Sequence, residues 1–156
     1  MPVSEEFLLN QTVKRYNYEV SRMRNLDNKA GNQIGYVGII LAVLGFVFAT
    51  TINELNDASL MFLIIGVIGL FCSIGLAIYQ LTPKPGRVPV LKIREFYQDW
   101  KSNSLECDMI DVYFDHIDDM MRYNNSKIGV LKWVHIFTLF GLAVSFIGIF
   151  IFLIPV

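Results

Sequence analysis

Two cysteines, two histidines and five prolines among 156 residues leave little room for several kinds of chemistry. Cys72 lies inside an apolar run and Cys107 in a polar segment expected in the reducing cytoplasm, so no disulfide between them is expected. His116 and His135 would stand about 28 Å apart on a continuous helix, too far to share a metal. Cys107 and His116 would fall on opposite helix faces. There is no phosphate-binding glycine loop followed by Lys-Ser/Thr, no HExxH and no EF-hand loop. These absences predict no cofactor, no metal and no catalysis by this chain, and no nucleic-acid polymer is expected as a partner. Charge is also scarce, at 17% of residues against roughly 25% in soluble chains.

What fills the space is hydrocarbon. Hydrophobic residues make up 54% of the chain, and mean hydropathy is +0.47. Three runs, 34–52, 60–81 and 133–156, contain no Asp, Glu, Lys or Arg. About 20 apolar residues cross a bilayer core as a helix, the form that satisfies its own backbone in lipid. The reading is an all-α integral membrane protein with three transmembrane helices, at 32–52, 60–81 and 130–155, and long cytoplasmic helical extensions at 4–30 and 82–129. The 33 residues before the first run, several of them acidic, do not suit a secretory signal. Five of the 13 basic residues precede the first run, from Lys14 to Lys29. The other eight lie between the second and third, from Lys84 to Lys132. The positive-inside rule then puts the N-terminus in the cytoplasm and the C-terminus outside a cell (inner or plasma) membrane.

The extensions are patterned as helices. Leu9, Val13, Tyr16, Val20 and Met23 recur at gaps of four and three, a coiled-coil-like seam that continues through Asp27 and Ala30. With no proline in the way, one helix is expected to rise into the first span. Pro83, Pro85 and Pro89 mark a stiff turn, followed by a short helix over 90–101. Asn103 with Glu106 forms a capping-box pattern. A second seam then runs through Ile110, Phe114, Ile117, Met121, Asn124, Ile128, Leu131 and His135. Asp108, Asp111, Asp115 and Asp118 make an acidic stripe suited to pairing with Arg15, Arg22 and Arg24, a cation site being the rarer use of such a stripe.

Small residues recur just as regularly. Gly31, Gly35, Gly38, Ala42, Gly45 and Ala49 clear one face of the first span. Gly66 and Gly69 on the second and Gly141, Ser145 and Gly148 on the third repeat the pattern. In lipid, close backbone approach and dispersion hold helices together. These residues are therefore candidate packing faces, within one chain or between subunits. At the cytoplasmic junction Asp27, Lys29, Asn124, Lys127 and His135 gather at similar depth, either as a structural bridge or as a ligand or gating site.

The blocks "LDNKAG" and "NNSKIGVLKW", each leading into a span, resemble those of the Pycsar membrane effectors and, more distantly, SLATT-type domains. The matching positions are Asp27, Lys29, Ala30, Asn124 and Lys127. The resemblance implies a short helical membrane protein of antiviral (antiphage) defense, activated by a cyclic pyrimidine nucleotide to impair the inner membrane. The sequence shows no separate nucleotide-binding domain, so the resemblance leaves the trigger unassigned. The expected function is an oligomeric, signal-responsive membrane effector. The alternative is a non-catalytic accessory subunit of a larger membrane complex. Membrane lipid and either a second copy or other membrane subunits are the expected partners.

Overall fold

A computed structural model describes residues 5–51, 54–82 and 105–154, and the chain is helical nearly throughout them. Helix α1 covers Glu5–Thr51, α2 covers Asp57–Leu81 and α3 covers Leu105–Leu153. All three are long and apolar enough to cross a membrane. The proposed cap at Ser4, the turn at 83–89, the short helix at 90–101 and the Asn103 cap lie outside the described residues.

Local chemistry explains the helix ends. The Thr50 and Thr51 hydroxyls turn back onto the Val47 carbonyl at 3.0 and 2.7 Å, and the chain turns at Glu54, whose N–H reaches the Thr51 carbonyl. Helix α2 starts at Asp57, earlier than the apolar run, because the Asn56 side chain accepts the Ser59 N–H at 2.7 Å and Asp57 sits in the positive first turn. At its far end the Thr82 N–H closes onto the Ile78 carbonyl. Helix α3 stops at Leu153, two residues before Pro155, in keeping with the constraint proline places on its predecessor.

The chain divides into two compact units, Met1–Leu26 with Pro83–Lys127 and Asp27–Thr82 with Ile128–Val156. In the first, the described parts of α1 and α3 lie side by side and parallel, as the pairs Arg15–Met121, Glu19–Asn124 and Arg22–Asn125 require. The buried positions are Thr12, Glu19 and Leu26 on α1, and Ile117, Met120, Asn124 and Lys127 on α3. This corrects the sequence seam. Tyr16 and Met23 stay near the contact, but its centre falls on Thr12, Glu19 and Leu26, one position from Val13, Val20 and Asp27. On α3, Met120 and Lys127 replace Met121 and Ile128, and Phe114 is exposed. The apolar alternation was a sound guide to period and a poor one to phase, because the contact buries polar side chains that hydropathy would place outside.

In the second unit α2 runs antiparallel to α3, with Ser59 at Gly148 and Ser73 at Val134. Their contact is backbone-close. A Cβ on Gly66 would stand 2.8 Å from both the Gly141 carbonyl and the Ser145 nitrogen. One on Gly141 would stand 2.8 Å from the Gly66 carbonyl and 2.9 Å from Leu70 Cγ, and one on Gly148 would stand 3.1 Å from Leu63. Each glycine is a hole that receives a side chain of the facing helix: Ser145 over Gly66, Leu70 over Gly141, Leu63 over Gly148. Large apolar side chains such as Phe46, Ile68, Phe71, Phe146 and Phe150 face outward, as lipid requires. Tyr36, Tyr79 and Trp133 are exposed and suit an interfacial aromatic belt at the end that carries Lys29 and Lys132.

The first-span ladder behaves differently. A Cβ on Gly31, Gly35, Gly38 or Gly45 would meet nothing within 4 Å, and Ala42 and Ala49 are exposed. Among the described residues that face packs against nothing.

The contrast yields a prediction. Gly66→Ala and Gly141→Ala should each destabilise the protein by about 1–3 kcal/mol through overpacking. Gly35→Ala should be neutral or gain up to about 1 kcal/mol from helix propensity. Thermal unfolding in mild detergent checks both; equal losses at all three positions would contradict the packing described.

Candidate functional site

The first unit holds a polar cluster inside a helix pair. Glu19 is buried at a seam position, where an apolar side chain would normally sit. Asn124, fully buried on α3, donates through Nδ2 to Glu19 Oε2 at 2.7 Å and to the Glu19 carbonyl at 3.1 Å. Arg22, one turn on, reaches the Glu19 carboxylate at 3.4 and 3.5 Å and Asn125 Oδ1 at 3.2 Å. The buried carboxylate thus has an amide and a guanidinium as donors, which such burial demands. Asn124 Oδ1 has no hydrogen-bond partner. Nearby, Lys127 is buried with Nζ 4.9 Å from the Tyr123 ring centroid. Thr12 returns its hydroxyl to the Leu8 carbonyl at 2.8 Å. Tyr16 meets Tyr113 edge-on with ring centroids 5.5 Å apart, and burial, then Tyr113, pushes its phenol above the ordinary tyrosine value.

Several sequence expectations shift accordingly. Asn124 turns its amide to Glu19, a residue that sequence pattern does not single out, since an acidic side chain three positions from Arg22 reads as solvated. Arg22 meets Glu19 and Asn125, and Arg15 approaches the Met121 sulfur at 3.7 Å. Asp115 and Asp118 are exposed; the side chains of Asp108 and Asp111 lie outside the described residues. Of the other junction candidates, Asp27 is half-buried, while Lys29 and His135 are exposed. Thr12, Glu19 and Leu26, spaced by seven and each one position before Val13, Val20 and Asp27, are the pattern in the sequence that marks the true seam on α1.

The second unit carries a polar network of its own. Gln33 Nε2 donates to Thr138 Oγ1 at 2.9 Å, and Thr138 Oγ1 lies 2.7 Å from Ser73 Oγ. Thr138 and Ser73 also bond the Val134 carbonyl, at 2.8 and 3.1 Å. One hydroxyl pair thereby links all three helices. Further along the seam, Ser59 Oγ donates to the Gly148 carbonyl at 2.5 Å, and Ser145 Oγ is buried with no partner.

Two outcomes test the cluster in the first unit. Asn124→Leu should destabilise by about 3–5 kcal/mol by leaving the buried Glu19 carboxylate with only its long Arg22 contact, whereas the Glu19→Leu/Asn124→Leu pair should recover most or all of it; a double-mutant cycle on unfolding measures this. Tyr16 has a folded-state pKa above its unfolded one, so its contribution is complete below about pH 10 and falls as pH rises through the folded value. Alkaline spectrophotometric titration should show a late phenol that Tyr16→Phe removes.

Compared with known proteins, the chain matches no curated protein and no solved structure. A family model described as the Pycsar effector protein domain matches residues 8–154, nearly the whole chain, including the two seams and all three membrane-spanning helices. The protein is therefore a multi-pass membrane protein belonging to the Pycsar effector protein domain family.

Proposed function

We propose that this protein impairs the membrane in which it sits when a signal reaches its extramembrane helices, as an effector of antiviral defense. The carrying observation is the family match over residues 8–154 of a chain with three bilayer-length helices. The polar cluster around Glu19 and Asn124 supports a conformational role for the first unit. A buried ion-containing layer contributes little net stability, and its best-attested use is to fix one helix register over others. Such a layer gives two packed helices a defined resting arrangement that a ligand or partner can displace. The action needs no catalysis and no metal. By the distribution of basic residues, the first unit faces the cytoplasm and the C-terminus lies outside.

The active form is a homo-oligomer that uses the unoccupied small-residue face of α1. Gly35, Gly38, Ala42 and Gly45 present backbone along one stripe, and the family resemblance makes a cyclic pyrimidine nucleotide the first trigger to try.

The test is reconstitution of the full chain in liposomes containing anionic lipid, with an encapsulated dye and added cyclic pyrimidine nucleotides. Nucleotide-dependent leakage is expected, together with a native mass above that of one chain. Gly38→Leu and Gly45→Leu should lower that mass and reduce leakage at least tenfold. A stable complex with other membrane subunits, and no leakage under any nucleotide, would favour an accessory subunit instead.

A further inference from the structure

The serines and threonines of the membrane-spanning hairpin have one common placement. Ser59 and Ser73 of α2, and Thr138 and Ser145 of the 128–153 part of α3, are all buried in the seam between the helices. The lipid-facing surface there is mainly phenylalanine, isoleucine and leucine. From Ser59 to Gln80, buried polar positions on α2 extend over about 31 Å, the thickness of a bilayer core.

Polar and apolar layers alternate along this line. Ser59 binds the Gly148 carbonyl; Leu63 then fills the notch at Gly148. Ser145 occupies the notch at Gly66; Leu70 fills the one at Gly141. Ser73, Thr138 and Gln33 close the series with their shared hydrogen bonds. Leu63 and Leu70 are buried, and Ser145 Oγ, also buried, faces the seam with no hydrogen-bond partner. A buried hydroxyl without a partner is a group that water would satisfy. Helix association alone accounts for glycines and for paired hydroxyls, but not for one left unpaired in the tightest part of the contact.

We infer that the α2–α3 seam is a closed aqueous path, with Ser59, Ser145, Ser73 and Thr138 as its polar lining and Leu63 and Leu70 as its plugs. Parting the two helices by the width of a water column wets the hydroxyl layers, and the leucines hold the path dry until then, as hydrophobic constrictions gate other pores. No Asp, Glu, Lys or Arg occurs in 60–81 or 133–156, so the lining passes water and small ions of either sign. This inference rests on the membrane-impairing function proposed above and assigns that function its route.

The experiment uses the full chain in liposomes, with Cys72 and Cys107 replaced by serine. Leu63→Ser and Leu70→Ser should each raise basal leakage of potassium and of chloride at least tenfold with no trigger added, with a reversal potential near zero in a KCl gradient. Ile68→Ser, on the lipid face, should leave leakage unchanged. In the Leu70→Ser background, Ser145→Cys should make the leak blockable by a membrane-impermeant cationic thiol reagent, and Phe146→Cys should not. Helix content and monodispersity in detergent confirm folding, and either leucine variant suffices if the other misfolds. Equal leakage from Ile68→Ser, or no block at Ser145→Cys, overturns the path even where the wild type leaks on adding a cyclic pyrimidine nucleotide. Seam variants that conduct and are blocked, beside a wild type that responds to no nucleotide, uphold the path and remove the proposed trigger instead.

Discussion

The backbone-close contact of α2 with α3 is the constraint on which the membrane-spanning unit depends. In lipid no hydrophobic force drives two apolar helices together, so the contact must come from dispersion at short range and from hydrogen bonds that would otherwise go unmade. Gly66, Gly141 and Gly148 permit the range, and Ser59, Ser73 and Thr138 supply the bonds. Each element fails without the other. Hydroxyls on helices held apart by bulky side chains could not reach the facing carbonyls, and glycines with no interlocking partner would only weaken their helices.

The same chemistry bears on the opening of the seam proposed above. Several of the bonds in this contact are made by hydroxyls, and water could take their place if the helices parted. A seam of interdigitated leucine and phenylalanine would be stiffer in lipid and would remain dry. On the function proposed above, an effector held harmless until signalled would be served by the former, with apolar plugs between the polar layers.

The helix pair of the first unit follows a different logic because different groups meet there. Its central layer is a carboxylate, an amide and a guanidinium, in place of the leucines that would maximise stability. Removing one partner strands a buried charge, so the layer tolerates one arrangement of the helices and penalises slippage by a single position, which would expose the wrong groups to each other. That is specificity of docking, obtained at some expense in stability. Asn124 keeps one acceptor unmet even in the docked form.

Much of this architecture was legible in the residues. Three uncharged runs of bilayer length oblige helices, because lipid offers a backbone no other partner, and the absence of proline between 4 and 34 lets the first run join the helix before it. The regular spacing of glycine and serine marked faces where helices can approach. What could not be read was which faces meet. The ladders at Gly35–Gly38–Gly45 and at Gly66–Gly69 look alike along the chain, yet only the second is filled, because which neighbour covers a stripe depends on how all the helices rotate together. Likewise Val13 and Val20 advertise a seam by hydropathy, while the contact turns by one position to enclose Glu19. A carboxylate is costly to bury until an amide and a guanidinium from distant positions are brought to it, and only the tertiary fold assembles that set.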